Sequence, residues 1–239
     1  MKGTIKLLGK REIAEGTMEF TYERPAGFDY QPGQTMDLTL INPADTDAEG
    51  NTRTFSIVSA PHETVLKSAT RLRDTAFKRM LKAMESGTEL AVDGPHGSFL
   101  LHENAARPAV FLAGGIGITP FHSIISDATE RKLPHHIYLF FSNRRPEDAP
   151  FLDELGDFAQ RNLNFTLVAT MTDMEHSTQT WNGEQGFIDS AMIGRHLPEG
   201  QQPIYYLAGP EAMVAAMRTT LTTMNVSGDD IRFEEFAGY

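Results

Sequence analysis

The sequence contains no cysteine. That excludes disulfides, thiolate metal sites, iron–sulfur clusters and a cysteine nucleophile. It also lacks any apolar run near the ~20 residues of a membrane-spanning helix. The opening "MKGTIKLLGK" has no apolar core of the kind a signal peptide carries. A soluble, cytoplasmic protein is therefore expected. Positive charge is scarce: 21 Lys and Arg stand against 32 Asp and Glu, a net charge of −11. Such a balance argues against nonspecific nucleic-acid binding by the whole surface. The eight histidines are scattered, and His135 and His136, adjacent in an apolar run, would face opposite sides of a strand. No helix carries H-E-x-x-H, so no metal site is expected. There remain 239 residues, 40% hydrophobic and 22% charged, enough for one large domain or two of about 100–150 residues.

The chain has two textures. In its first hundred residues apolar positions alternate: Met18, Phe20 and Tyr22 in "TMEFTYER", then Met36, Leu38 and Leu40 in "TMDLTLI". Period two marks half-buried strands. The turn signals "RPAG", "QPGQ", "NPADTDAEGN" and "SAPHE" separate them. A small antiparallel β-barrel is the expected fold of residues 1–106. One segment departs from it: "DTAFKRMLKAM" places Phe77, Met80, Leu81 and Met84 at helical spacing, with Asp74 or Thr75 as N-cap. Beyond Arg107–Pro108, short apolar runs ("AVFLAG", "HIYLFFS", "FTLVATM", "PIYYLAG", "DIRFEEF") alternate with helical patterns. That texture predicts, for residues 107–239, an α/β domain with a parallel sheet covered on both faces.

The junction "FLAGGIGITPF" joins the first of these strands to its helix, with Thr119 as expected cap and Pro120 at the first helical position. A strand-to-helix turn without side chains lets a dinucleotide phosphate approach free N–H groups at a helix N-terminus. The other reading of Gly114, Gly115 and Gly117 is a tight turn whose glycines serve packing.

Five segments recur in a set order: "RTFS" (53–56), "GPHGSF" (94–99), "GGIGITP" (114–120), "LAGPEAM" (207–213) and "FEEFAGY" (233–239). The series resembles the ferredoxin–NADP reductase superfamily of flavin oxidoreductases over nearly the whole chain. The resemblance implies a flavin, FAD rather than FMN, held by Arg53, Thr54, Phe55 and Ser56. Arg53 would meet the phosphates, Phe55 would stack on the ring in the place of a usual tyrosine, and Ser56 would bond the reactive nitrogen N5. Ala69, Thr70 and Arg71 would line the flavin and Thr75 would meet its phosphates. The family's usual glycine pair is replaced by Arg73–Asp74. NAD(P)H, the hydride donor, would bind Gly114, Gly115, Gly117, Thr119 and Pro120. Ser142, Asn143 and Arg144 would read its adenosine ribose, and Gly209 and Pro210 would shape the nicotinamide loop. In that loop Ala208 replaces a usual cysteine. Glu234 would join a proton path with Ser56, and either Phe236 or Tyr239 would cover the flavin face.

By this resemblance the chain is a flavoprotein reductase without a fused ferredoxin or haem domain. Its electrons would go to an external acceptor: an acidic carrier such as ferredoxin or flavodoxin, or a small molecule. Lys67, Arg71, Arg73, Lys78, Arg79 and Lys82, with the single acid Asp74 among them, form a local reversal of sign suited to such a carrier. Lys78 and Lys82 are expected on a solvated helix face. Two rivals remain. One is a flavin or ferric reductase using loosely bound flavin. The other is a flavin-binding electron-transfer subunit or sensor without its own nicotinamide reaction.

Overall fold

A computed structural model describes residues 1–236. The first six strands are β1 (Lys2–Ala14), β2 (Thr17–Glu23), β3 (Thr35–Leu40), β4 (Thr52–Ser56), β5 (Val65–Arg71) and β6 (Glu89–His96). They form one antiparallel sheet in the order β4-β3-β6-β1-β2-β5. The two edges meet just beyond β4, where the Val58 N–H donates to the Lys67 carbonyl at 2.9 Å, so the sheet curls into a barrel-like domain. Alternation holds in β3, whose Met36, Leu38 and Leu40 point into the core. In β2 Phe20 and Tyr22 are fully buried as expected, but so is Glu19 on the other face. Arg11 compensates that carboxylate at 2.7 Å, as a buried charge requires. Helix α1 (Ala76–Ala83) tucks Phe77 and Leu81 under the barrel, and Thr75, not Asp74, is its N-cap.

The second sheet contains β7 (Ala109–Gly114), β8 (Ile137–Asn143), β9 (Phe165–Met171), β10 (Glu184–Gln185), β11 (Ile204–Pro210) and β12 (Ile231–Phe236). All are parallel, in the order β10-β9-β8-β7-β11-β12. Every residue of β7 is buried, because helices cover both faces. Alternate residues Ala109, Phe111 and Ala113 pack with α2 (Ile118–Glu130) and α3 (Leu152–Arg161). Val110 and Leu112 pack with α4 (Ser190–His196) and α5 (Glu211–Thr223) on the opposite face.

The two parts are joined by a charged seam. The Arg11 guanidinium also reaches Glu154 of α3 at 2.6 Å. The other Glu154 oxygen meets His122 Nε2 of α2 at 3.0 Å, and His122 Nδ1 faces the Val58 carbonyl of the barrel at 3.1 Å. Both His122 nitrogens thus face acceptors, and both bonds form only when each carries a proton. The His122 hydrogen bond is the main reason the Glu154 carboxyl is held at about 2, with Arg11 adding to it against the effect of burial. Ser123 Oγ donates to the Ser59 carbonyl at 2.7 Å beside this chain of contacts. A second tie holds the 97–108 connection. Tyr206 Oη accepts from the His102 N–H at 2.9 Å, and Arg232 donates both to it and to the Leu100 carbonyl. These contacts set where the mouth of the barrel lies against the carboxyl ends of the parallel strands.

Candidate functional site

A cavity of about 400 Å³ opens between the two sheets. From the barrel it is lined by Arg53, Thr54, Phe55 and Ser56 of β4, Ala69, Thr70 and Arg71 of β5, and Thr75 and Lys78 around the start of α1. Ile116 and Thr119 reach it from the turn after β7, and Phe236 reaches it from the end of β12. All the barrel residues expected to hold the flavin therefore converge on one wall.

The chemistry of that wall is specific. Ser56 is 4% exposed, and its Oγ has no hydrogen-bond partner among the described residues. A buried hydroxyl left unpaired asks for a ligand atom beside it. Phe55 is buried against Phe77 and offers an aromatic lining without a hydroxyl. Arg53, Arg71, Arg73 and Lys78 share the wall with one acid, Glu49. Burial lowers the Lys78 pKa from its ordinary value, and the positive charges of Arg73 and Arg53 lower it further. Cations that repel one another in a partly dry cavity fit an anionic ligand. An aromatic-lined slot with an unpaired hydroxyl and clustered cations suits a flavin and its phosphates.

Lys78 was expected in solvent and stands on the cavity wall instead, because it lies in the first turn of α1, which points its N-terminus at the site. Two of the six cations of the Lys67–Lys82 cluster are held in ion pairs. Lys67 pairs with Glu63 at 2.6 Å, and Arg79 binds both Asp45 and Asp74. Of the six, Lys82 keeps an exposed side chain with no carboxylate partner among the described residues. A docking patch of six cations is not what the fold presents.

The glycine turn divides its labour. Helix α2 starts at Ile118 with Gly117 as N-cap, so Thr119 lies inside the first turn and donates its hydroxyl to the Ile116 carbonyl at 3.0 Å. Pro120 falls third in the helix, where its missing N–H is still one of the four without an intrahelical partner. A Cβ on Gly117 would lie 2.2 Å from the Ala208 carbonyl oxygen, and one on Gly114 would lie 2.3 Å from Met213 Sδ. These two glycines serve packing against β11 and α5. Gly115 differs: its φ is +52° and a Cβ there would meet nothing. It alone of the three faces open space in a conformation that favours glycine. Gly209 and Pro210 lie against the same turn, each within 3.5 Å of a Cβ built on a neighbouring glycine or of its backbone. The "GGIGITP" and "LAGPEAM" segments thus form one surface. Ala208 is fully buried within it.

At the end of β8, Asn143 is buried, and both side-chain amide atoms lack partners among the described residues. Ser142 beside it is half-buried. Arg144 is exposed and lines a second cleft of about 310 Å³, with Arg71 on the barrel side and Arg145 also bordering it. Arg145 is tied to Asp148 and Glu15, both at 2.7 Å, whereas Arg144 has no acid partner among the described residues. These groups suit a polar nucleotide at the strand ends, where open parallel sheets bind ligands.

Glu234 is not among the residues lining the first cavity. It lies two positions before Phe236 on the same face of β12, paired in register with Ala208. Burial raises its carboxyl to about 7. Tyr239 lies outside the described residues; Phe236 lies at the cavity. Sequence reasoning missed Glu49, Lys78 and Ile116 as cavity residues. For Lys78, proximity to the N-cap at Thr75 was the available signal; for Glu49 there was none. Among the described residues, no group of three His, Asp or Glu could hold a metal ion, and no helix is long and apolar enough to cross a membrane.

Residues 111–219 match the model of the oxidoreductase NAD-binding domain. The chain is 26% identical over 227 residues to ferredoxin–NADP reductase B of Sorangium cellulosum, covering 89% of this chain and 88% of that protein. It is 27% identical over 220 residues to the reductase component of propane 2-monooxygenase from Rhodococcus jostii, covering 89% of this chain but 57% of that protein. Several reductase components of oxygenases are likewise matched over little more than half their length. A crystal structure of a ferredoxin–NADP⁺ reductase from Neisseria gonorrhoeae, with bound FAD and NADP, superposes with a TM-score of 0.81 at 21% identity, covering 98% of both chains.

Proposed function

We propose that this chain, which belongs to the ferredoxin–NADP reductase superfamily, is an NAD(P)H-dependent flavoprotein reductase that delivers electrons to an acceptor outside its site. FAD is the cofactor and NAD(P)H the hydride donor. The carrying observation is the cavity in which the unpaired Ser56 hydroxyl, the Phe55 and Phe236 rings and four cations meet Ile116 and Thr119 of the nucleotide domain. Bound there, the flavin supplies a hydride acceptor that can release electrons one or two at a time. Ser56 donates its hydroxyl to the flavin edge and orients it. Arg53, Arg71, Arg73 and Lys78 hold the phosphates. Gly115 leaves its backbone open to the nucleotide pyrophosphate, and Asn143 and Arg144 hold the adenosine end. Phe236, on the cavity wall, would cover the flavin face and would have to yield that face to the nicotinamide. The acceptor we assign is a small electron carrier of the ferredoxin or flavodoxin kind; the name of the Sorangium cellulosum relative includes ferredoxin.

The test is optical. The purified protein, supplied with FAD, should be yellow and should bleach anaerobically on addition of NADPH or NADH. Flavin that binds without bleaching would leave a carrier or sensor and exclude the reductase. Comparing the two nucleotides reads the contribution of Arg144.

Glu234 adds a pH dependence. Its folded pKa of about 7 lies above the ordinary 4.5, so the native state keeps a proton that the unfolded chain has lost. Its contribution to stability therefore falls as pH rises from 4.5 through 7. The same window sets how often Glu234 can hand on a proton. Glu234→Gln should remove an inflection near pH 7 from the turnover profile and should stabilise the protein more at pH 8 than at pH 5. An unchanged inflection in the variant would take Glu234 out of the proton path.

A further inference from the structure

The phosphate end of the cavity is bordered by a loop of the protein's own acids. Between β3 and β4 lies "NPADTDAEGN", residues 42–51, and three of its carboxylates turn back onto cationic groups. Asp47 Oδ2 accepts the Ala76 N–H, the first residue of α1, at 3.0 Å. Its Oδ1 faces Arg53 at 3.4 Å and accepts the Glu49 N–H at 3.0 Å. Glu49, on the cavity wall, pairs with Arg53 at 2.8 Å. Asp45 holds Arg79 at 2.6 Å. A helix N-terminus and an arginine beside it form an arrangement suited to a phosphate. Here both are engaged by carboxylates, and the adjoining wall carries the unpaired, buried Ser56 hydroxyl. Loss of solvent opposes the Asp47 charge, but the Ala76 and Glu49 N–H groups and Arg53 outweigh it and hold the acid below its ordinary range.

We infer that Asp47 and Glu49 act as an internal counter-anion for the flavin site, so that the flavin's phosphates bind in competition with this loop and the flavin exchanges with solution. The inference rests on the flavin reading above and deepens it. The competition is electrostatic. A phosphate approaching Arg53 and the α1 N-terminus must displace two carboxylates or bind beside them against their repulsion. Phosphorylated flavins meet this resistance, whereas riboflavin, with no phosphate, does not. Arg71 and Lys78 form no ion pair with an acid among the described residues, although the Glu49 charge acts on Lys78 across the cavity wall. They supply the attraction that remains. A site built this way holds flavin less tightly than its four cations would by themselves.

The substitutions that test this keep the loop's shape. Asp47→Asn retains an oxygen able to accept the Ala76 N–H, because Asn caps helices about as well as Asp. Glu49→Gln alone leaves every Asp47 contact in place, so it reports even if the first variant folds poorly. Affinity for FAD and for riboflavin would be measured by equilibrium dialysis on the full chain, together with the rate at which bound FAD leaves. Partly exposed ion pairs are individually weak, so the double variant should bind FAD about five- to tenfold more tightly and release it more slowly. Glu49→Gln should account for part of that gain, and riboflavin affinity should not move. FAD affinity unchanged or weakened in both variants would overturn the inference while leaving the flavin reading intact. Equal tightening of riboflavin would also overturn it, because the effect would not run through phosphate. Failure of wild type and variants alike to bind any flavin would remove the flavin reading itself.

Discussion

Arg71→Glu combined with Lys78→Glu is expected to yield a folded protein that purifies without flavin. Both side chains stand on the cavity wall, one from each side of the α1 N-terminus. Neither side chain makes a hydrogen bond or ion pair with the barrel among the described residues, so reversing their charge breaks no such internal bond. The helix cap uses the Lys78 backbone N–H, which the substitution keeps. Losing the partner of a desolvated charge typically costs about 2–5 kcal/mol. These groups are half in water, so about 3 kcal/mol for the pair is the reasonable expectation, roughly a hundredfold in affinity. Flavin per protein after purification and the unfolding midpoint are the two measurements. Flavin retained at the wild-type ratio would remove the cavity's cations from its binding. Arg53→Glu is the less clean experiment. Its guanidinium donates to the Glu49, Gly50 and Thr52 carbonyls and stacks on Phe77, so reversal would unsettle the loop and the barrel together.

Much of this architecture was legible in order of amino acids, and the reasons are particular. Strand β7 runs from Ala109 to Gly114, the run "AVFLAG" itself, because a strand covered on both faces is apolar throughout. The same holds for β11, and for β8 as far as Phe141, after which Ser142 and Asn143 end the strand. Strand β1 was not recognised. Over its thirteen residues only Ile5 and Leu7 are buried, so most of it carries no period-two signal. The cavity residues expected from "RTFS" and "SATR" converge because β4 and β5 are the two edges of one curling sheet, and a strand's edge position is decided by its partners. The Asp47–Ala76 and Asp45–Arg79 contacts join positions 29 and 34 residues apart. No local pattern announces such pairs, and so the basic run from Lys67 to Lys82 read as a patch when other segments neutralise two of its six cations, Lys67 and Arg79.

The glycines show the same boundary between what local pattern can and cannot decide, and they carry the second large expected effect. Gly117 has φ −59°, a conformation any residue adopts, so nothing in its own backbone requires glycine. The requirement is tertiary. A methyl there would lie 2.2 and 2.5 Å from the Ala208 carbonyl oxygen and carbon and 2.7 Å from Gly209 Cα. All three are backbone atoms of the β11 end, so no side chain can swing away, and the turn and β11 must separate. Gly117→Ala is therefore expected to destabilise the protein by about 3 kcal/mol or more, at the upper end of overpacking. For a chain of this size that lowers the unfolding midpoint by roughly 6–12 °C. Gly115→Ala meets no neighbour, but must adopt φ near +52°, a strain of roughly 1–2 kcal/mol. Its methyl would project from the turn where the nucleotide pyrophosphate needs close approach to the backbone. The paired variants should therefore separate two readouts. Gly117→Ala should fail first in thermal unfolding. Gly115→Ala should stay folded, keep its flavin and raise KM for NAD(P)H about tenfold or more, the scale of one lost charge-assisted contact. The reverse pattern, a stable Gly117→Ala with impaired nucleotide binding and a Gly115→Ala of unaltered KM, would move the pyrophosphate from Gly115 to Gly117.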